Sequence, residues 1–122
     1  MRVLCCGDRN WTDRETVRVR ISELPETAVI VHGAARGADT IAGEVAAELG
    51  HTVEVYPAQW NTYGRAAGPI RNNQMLDTKP DLVIAFHADI SKSKGTAHCI
   101  QEAERRSIIV ELITGPHRRL RS

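Results

Sequence analysis

The sequence predicts one α/β domain of the Rossmann-like class, with a five-stranded parallel sheet and helices on both faces. Three observations support this fold class. Strand-like and helix-like segments alternate along the chain, the strands are continuously apolar, and three strand-to-helix connections are rich in glycine and small residues. Continuous apolar strands are typical of parallel sheets that are covered on both faces. The alternation of strands and helices predicts a doubly wound sheet.

Five short segments rich in valine, isoleucine and leucine are the predicted strands, at 2–6, 28–32, 52–56, 81–86 and 107–113. A chain of 122 residues can bury one sheet-and-helix core but not two, so we expect a single domain over 1–122. Residues 114–122 follow the last predicted strand and include three arginines. We expect this segment to be a flexible basic tail.

Four helices are predicted in the connections between these strands. Thr12 and Glu15 have the spacing of a capping box and begin the first helix. The second helix follows the connection at 33–39 and repeats its apolar residues at the helical period. The third begins at Pro69, because proline suits a first helical position, and it ends before Pro80. The fourth follows Gly95-Thr96.

Composition limits the partners of the chain. It has 16 basic and 15 acidic residues, and its net charge of +1 gives no strong attraction to nucleic acid or membranes. No segment approaches the roughly 20 apolar residues that span a bilayer, and we expect no signal peptide. Cys5, Cys6 and Cys99 lack metal-ligand spacing and are expected to be buried thiols in a reducing cytoplasm. Neither a metal site nor a cofactor is predicted.

Three strand-to-helix connections combine glycine with a cation or a hydroxyl group. Gly7 and Arg9 follow the first strand, the connection at 33–39 follows the second, and Lys94-Gly95-Thr96 precedes the fourth helix. In a parallel sheet these connections lie at the carboxyl edge, where backbone N–H groups and helix N-termini bind anions. The sequence therefore predicts a crevice for a phosphate-bearing ligand. Each connection taken alone is also consistent with a tight turn or a capped helix.

The connection at 57–68 is long for a small domain and contains Trp60 and Tyr63. Long connections in compact domains are often functional, and these two rings either stack on a nucleobase or pack locally beneath the connection. Arg71 and Asn72 follow at the start of the third predicted helix. An arginine beside the free backbone donors of a helix start is well suited to bind a phosphate.

In their order along the chain, these motifs resemble the SLOG superfamily, and most closely its cpYpsA-related, YspA-like branch. The resemblance is carried by Gly7, Arg9, residues 32–39, 57–60, 63–64 and 66–72, Met75 and Gly95-Thr96. The superfamily includes the Lonely-Guy-type phosphoribohydrolases, which split the N-glycosidic bond of nucleoside 5′-monophosphates. The resemblance implies a nucleotide-type ligand across the carboxyl edge, with its phosphate at Gly95-Thr96 and its base or ribose near 33–39.

The match to the phosphoribohydrolase active site is incomplete. Arg71 and Met75 match its helix-start motif, with Asn72 in place of a lysine. Cys99 occupies the position of the catalytic glutamate. Cleavage through an oxocarbenium-like state needs a carboxylate to stabilise the cation or to activate water, and a thiol is a poor substitute.

Three functions therefore remain open. The first is the binding or sensing of a nucleotide or a nucleotide-derived ligand. The second is phosphoribohydrolase activity, with Arg71 orienting the ribose phosphate and with the acid being Asp39, Glu102 or Asp8. The third is single-stranded DNA binding, for which the basic tail, the lysines at 92 and 94 and the two loop aromatics provide a stacking-plus-charge pattern. The resemblance also implies a homodimer, for which the third helix is the candidate interface.

The predicted ligand-binding residues lie in the glycine-rich connections, in the long connection and at the start of the third helix. They are Gly7, Arg9, Gly33, Arg36, Gly37, Asp39, Trp60, Arg71, Asn72, Lys94, Gly95 and Thr96. The catalytic candidates are Arg71, Asp39 and Glu102.

Overall fold

The structure is a computed structural model that describes residues 1–116 and the backbone of residues 118–121. Its elements follow in the order β1 (Arg2–Gly7), α1 (Arg14–Ser22), β2 (Val29–His32), α2 (Ala38–Glu48), β3 (Thr52–Val55), α3 (Trp60–Tyr63), α4 (Ala67–Asp77), β4 (Leu82–Phe86), α5 (Gly95–Arg105), β5 (Ile109–Gly115) and β6 (Arg118–Arg121). Short 3₁₀ turns at Gly64–Ala66 and Ile90–Lys92 precede α4 and α5.

The sheet has the order β3-β2-β1-β4-β5-β6, and its first five strands are parallel. The predicted five-stranded parallel sheet and the Rossmann-like class are therefore confirmed. The strand order reverses between β1 and β4. In sheets of this kind, ligands bind at the carboxyl ends of the strands beside such a reversal.

β6 extends the sheet as an antiparallel neighbour of β5. The position and composition of 114–122 predict a flexible tail, but β5 continues to Gly115 and residues 118–121 form a strand. The open edge of β5 offers unpaired backbone groups, and pairing with them orders a segment whose arginines suggested only exposure to solvent. His117 and Ser122, which also belong to the predicted tail, lie outside the described residues.

Helices cover both faces of the sheet and produce two core layers. One layer lies between the sheet and the pair α1 and α2, and it includes Ile21, Ile30 and Phe86. The other lies beneath α4 and α5 and includes Leu4 and Met75. The two layers explain why the strands are continuously apolar in sequence, since successive side chains of one strand point to opposite, equally buried faces.

Two helices begin at residues other than the predicted ones. α1 is capped by Asp13, whose Oδ1 accepts a hydrogen bond from the Thr16 backbone N–H at 3.0 Å. Thr16 Oγ1 also donates to Asp13 Oδ2 at 2.5 Å, and this second bond favours the Asp13 cap over the predicted capping box, which would start one residue earlier. α4 begins at Ala67, so Pro69 is its third residue. Proline is tolerated there because the first backbone N–H groups of a helix have no intrahelical acceptor.

A buried ion pair between α1 and β5 was not predicted. Glu111 is 0% exposed, and its carboxylate accepts a hydrogen bond from the Nε of Arg20 on α1. Arg20 also lies 3.5 Å from Glu23 in the next turn. Glu111 lies within a segment that otherwise reads as an apolar strand. Its partner is 91 residues away, so no local pattern could indicate the pair.

Candidate ligand site at the carboxyl edge of the sheet

The connection after β1 packs directly on the start of α2. The Ala38 backbone N–H donates to the Asp8 carbonyl oxygen at 3.0 Å. Gly37 has φ of +80°, and a Cβ added to it would overlap the carbonyl oxygens of Asp8 and Arg9. Only glycine combines this backbone conformation with so close an approach. Gly37 therefore holds two of the predicted ligand-binding connections together.

Gly7, at the end of β1, also allows a close approach between elements that a side chain would prevent. Its φ is +154°, and a Cβ there would overlap the Phe86 carbonyl oxygen and lie 2.8 Å from the Ala38 Cβ. The next residue, Asp8, donates its backbone N–H to the same Phe86 oxygen at 2.9 Å. Gly7 thus lies where β1, β4 and α2 meet, at the reversal of the strand order.

The carboxylate of Asp39 accepts a backbone N–H at the start of the connection after β2. This side chain is 4% exposed, and its Oδ2 accepts the Gly33 N–H at 2.8 Å. The backbone N–H groups of Ala35 and of Asp39 itself also act to lower the pKa of this carboxyl group. The carboxylate therefore fills the position that an anionic ligand group takes in an open glycine-rich cradle. The Gly33 N–H is therefore not free to bind a phosphate.

Burial raises the pKa of Asp39 to about 6, against the lowering effects of the hydrogen bond from Gly33 and the charge of Arg71. The folded state then holds the carboxyl proton more tightly than the unfolded state, where the pKa is about 3.9. The contribution of Asp39 to the free energy of unfolding is therefore largest below about pH 4 and is lost as the pH rises through about 6.

This difference in pKa predicts a measurable pH dependence of stability. Between about pH 4 and pH 7, the wild-type chain should lose about 2–3 kcal/mol of unfolding free energy relative to Asp39→Asn, which does not titrate. Urea unfolding of both proteins across this range measures the difference. Groups common to both proteins cancel in the comparison. A difference that does not change with pH, or that changes in the opposite direction, would contradict the assignment.

Arg71 connects the start of α4 to the connection after β2. Its Nη1 donates to the Gly33 carbonyl oxygen at 2.6 Å. A Cβ on Gly33 would overlap the guanidinium group, so glycine is needed for this approach. The charge of Arg71 also lowers the pKa of His32, although burial is the larger cause. Arg71 and Asp39 thus both bind Gly33, Arg71 at its carbonyl oxygen and Asp39 at its N–H.

Asn72 extends this arrangement to α5. Its Oδ1 accepts from Arg71 Nε at 2.9 Å, and its Nδ2 donates to the Gly95 carbonyl oxygen at 3.2 Å. The same Nδ2 lies 3.2 Å from His98 Nδ1. Arg71 and Asn72 together therefore join the connection after β2 to the start of α5. The predicted sites at Gly33 and Gly95 belong to one continuous hydrogen-bonded group.

The remaining catalytic candidate is separate from this group. Glu102 lies about two turns along α5 from Gly95, where its Oε2 accepts from Arg105 Nη1 at 2.7 Å. Cys99, at the position of the family glutamate, is 1% exposed. Its thiol hydrogen bonds with that of Cys6, and this bond together with burial raises the pKa of Cys6 well above its ordinary value. All three cysteines are free and buried, as predicted.

The other predicted ligand-binding residues lie around the rim. Trp60 and Tyr63 are 51% and 43% exposed, so these rings do not form a local core beneath their connection. Lys94 is exposed, whereas Thr96 is buried and its backbone N–H donates to Ser93 Oγ at 2.9 Å. Arg9 and Arg36 are exposed and line a surface cavity of about 510 Å³.

Most cations elsewhere in the described residues form ion pairs, but those at this edge mostly do not. Within residues 1–116, no carboxylate lies within 4.0 Å of five cations in the connections and at the start of α4, which are Arg9, Arg36, Arg65, Arg71 and Lys94. Arg65 was not among the predicted residues. Its position two residues after Tyr63, in the long connection, could have indicated Arg65 as a ligand-binding candidate.

The sheet order and the glycine-rich connections at its carboxyl edge define a Rossmann-like protein. Residues 1–63 match the model of the YspA, cpYpsA-related SLOG family. The chain belongs to this family, and the resemblance found in the sequence is confirmed.

Two similar proteins illustrate the relationship. The Gene 61 protein of Mycobacterium phage D29 is 38% identical, over 89% of this chain and 93% of its own length. The structure of DNA processing protein A (DprA) from Streptococcus pneumoniae matches with a TM-score of 0.75 at 21% identity. That match covers 95% of this chain and 51% of the DprA chain, so this chain spans about half the length of DprA. The similarity to DprA shows that the two proteins share this fold.

Two kinds of feature are absent from the described part of the chain. Within this part no helix has the length and apolar character needed to cross a bilayer. The same residues contain no group of three or more His, Cys, Asp or Glu side chains placed to hold a metal ion.

Proposed function

We propose that this chain binds a nucleotide or a nucleotide-derived molecule through its phosphate at the carboxyl edge and releases it unchanged. The observation that carries the proposal is the contrast between cations and carboxylates at this edge. Five cations there have no carboxylate partner in residues 1–116. The carboxylate at its centre, Asp39, is buried and accepts a backbone N–H. Such a site attracts an anion, but its central carboxylate is not free to act as a general base.

Arginine is the cation best suited to this ligand, because its planar fork of N–H donors matches the oxygens of a phosphate. Arg71 is fixed by two hydrogen bonds and half-buried, so a phosphate bound there meets a preorganised donor. Arg9 and Arg36 line the adjoining cavity. Membership of the SLOG family and the DprA-like fold are consistent with binding of nucleotides or of DNA.

Hydrolysis of an N-glycosidic bond is the less favoured alternative, since each candidate acid already has another interaction. Asp39 accepts a backbone hydrogen bond, and Glu102 pairs with Arg105. Asp8 Oδ1 accepts the Asn10 backbone N–H at 2.9 Å. The family glutamate is replaced by a buried thiol. A hydrolase would need one of these carboxylates released to activate water or to stabilise an oxocarbenium-like cation.

Single-stranded DNA binding is the second candidate, and one observation favours it. Trp60 and Tyr63 are half-exposed rings in the same connection as the unpaired Arg65. Stacking platforms beside cations are the usual means of binding single strands. The structural neighbour is named as a DNA processing protein. An oligonucleotide whose affinity falls steeply with salt and depends on Trp60 would support this function over small-nucleotide binding.

The ligand proposal predicts that Arg71→Gln weakens the binding of a nucleoside 5′-monophosphate by about 10–100-fold. A hydrogen bond to a charged group contributes about 1.5–3 kcal/mol, and about 1.4 kcal/mol corresponds to a factor of ten. Isothermal titration measures the effect, with the unphosphorylated nucleoside as reference ligand. Lys79→Gln is the matched control, because Lys79 lies beyond the far end of α4 and has no carboxylate within 4.0 Å in residues 1–116. Equal loss in both variants would contradict a phosphate site at Arg71.

We propose, from the family resemblance alone, that two copies of the chain associate through α4. Sedimentation analysis of the purified chain distinguishes a dimer from a monomer.

A further inference from the structure

The side-chain amide of Asn72 links the two helices that border the proposed phosphate site. Asn72 lies in the second turn of α4 and is 4% exposed. Its oxygen accepts from Arg71 Nε, and its nitrogen donates to the Gly95 carbonyl oxygen and faces His98 Nδ1. One buried amide therefore contacts an arginine on α4 and a histidine on α5. His98 was not among the predicted site residues.

These contacts fix both the orientation of the amide and the tautomer of the histidine. Arginine Nε only donates and a carbonyl oxygen only accepts, so Asn72 must present its oxygen to Arg71 and its NH₂ group to Gly95. The same NH₂ group faces His98 Nδ1, which must then accept. In the neutral ring the proton consequently lies on Nε2.

Both residues held by Asn72 keep a donor that the described chain does not use. Arg71 Nε and Nη1 are occupied by Asn72 and by the Gly33 carbonyl oxygen. In residues 1–116, Arg71 Nη2 and His98 Nε2 have no hydrogen-bond partner. Both side chains are half-buried beside the start of α5, where the helix dipole favours an anion. Each of these two donors is therefore available to a ligand.

We propose that His98 is a ligand-binding residue and that Asn72 is a positioning residue, which directs Arg71 and the Nε2–H of His98 toward the same phosphate group. This inference rests on the proposed function, because it assigns donors to the phosphate of that ligand. The guanidinium supplies the charge. The imidazole N–H supplies a second, neutral donor from another helix, so α4 and α5 share one anion.

The first experiment tests the geometry without any ligand. Nitrogen-15 NMR of the His98 ring, recorded at about pH 8, should show the Nε2–H tautomer in the wild-type chain. Asn72→Ala should lose this preference, because the NH₂ group facing Nδ1 is gone. A wild-type ring in the Nδ1–H tautomer would overturn the proposal.

The second experiment measures binding of inorganic phosphate and of adenosine 5′-monophosphate by NMR titration. His98→Ala should weaken both by about tenfold, the effect of one good hydrogen bond. His98→Gln, which keeps an N–H donor, should retain more affinity. Asn72→Ala should weaken both ligands by about 100-fold, and adding His98→Ala to it should cause little further loss, because the two residues act as a unit.

The control variant is Asn73→Ala, the next residue on α4, whose amide oxygen accepts from Arg106 at 3.1 Å on the outer surface. It should bind both probes as the wild type does, and thermal unfolding checks that every variant is folded. His98→Ala with wild-type affinity, in a protein whose binding depends on Arg71, would overturn this inference alone. A wild-type chain that binds neither probe would overturn the proposed function together with it.

Discussion

Arg20→Ala should lower the free energy of unfolding by about 3–5 kcal/mol, because it removes the guanidinium that donates a hydrogen bond to the buried carboxylate of Glu111. Glu111 is 0% exposed and the Arg20 side chain is 8% exposed, so the ion pair lies almost entirely out of water. Removing one member of a buried pair costs far more than the pair itself contributes. Urea unfolding monitored by circular dichroism measures the loss.

Arg18→Ala is the matched control for this prediction. Arg18 lies on the same helix and pairs with Glu48, but its side chain is 37% exposed. Exposed ion pairs contribute about 0–1 kcal/mol, so this variant should unfold almost as the wild type does. If Arg20→Ala cost no more than Arg18→Ala, the buried pair would not be a main attachment of α1 to the sheet.

Gly37→Ala should destabilise the chain by roughly 2–5 kcal/mol and should also weaken ligand binding. The left-handed backbone alone costs a Cβ about 1–2 kcal/mol, and forcing an atom into a packed position adds about 1–3 kcal/mol. Here the added atom would overlap the carbonyl oxygens of Asp8 and Arg9, so the connection after β1 must move. Arg9 lines the cavity beside this connection, and its displacement would change the phosphate site.

Gly50→Ala separates the two contributions. Gly50 has φ of +86°, close to the +80° of Gly37, but a Cβ at Gly50 would meet nothing within 4 Å. It should cost only the backbone part, about 1–2 kcal/mol. Denaturant unfolding of both variants gives the difference, which we assign to contact between the two connections together with the ψ of −123° at Gly37. Equal losses would show that the contact is easily relieved.

The parallel strands could be predicted because burial on both faces leaves a continuous apolar signal in each of them. The additional strand at 118–121 could not, since its stabilising partner is the edge of β5 rather than a pattern within its own residues. The long connection at 57–68 forms α3 and a 3₁₀ turn, although its polar residues and glycines suggested an irregular loop. Local sequence is a weak guide wherever a tertiary neighbour decides the conformation.

The sequence indicated several residues of the site but not the hydrogen bonds that join them. Glycine, arginine and asparagine at helix starts indicated Gly33, Arg71 and Asn72 correctly as neighbours at one edge of the sheet. The sequence could not reveal that Asp39 accepts the Gly33 N–H of its own connection, because that depends on the turn geometry. His98 was also missed, since its role follows from the orientation of an amide on another helix.

The most direct test of a phosphate-binding, non-hydrolysing site is a thermal-shift screen of the wild-type chain against nucleoside monophosphates, ADP-ribose, cyclic nucleotides and NAD, with chromatography of each ligand after incubation. The account predicts that at least one phosphorylated ligand raises the melting temperature, that its unphosphorylated counterpart does not, and that the ligand is recovered intact. Release of free base would establish a hydrolase instead. No shift with any of these nucleotides would contradict small-nucleotide binding at this edge.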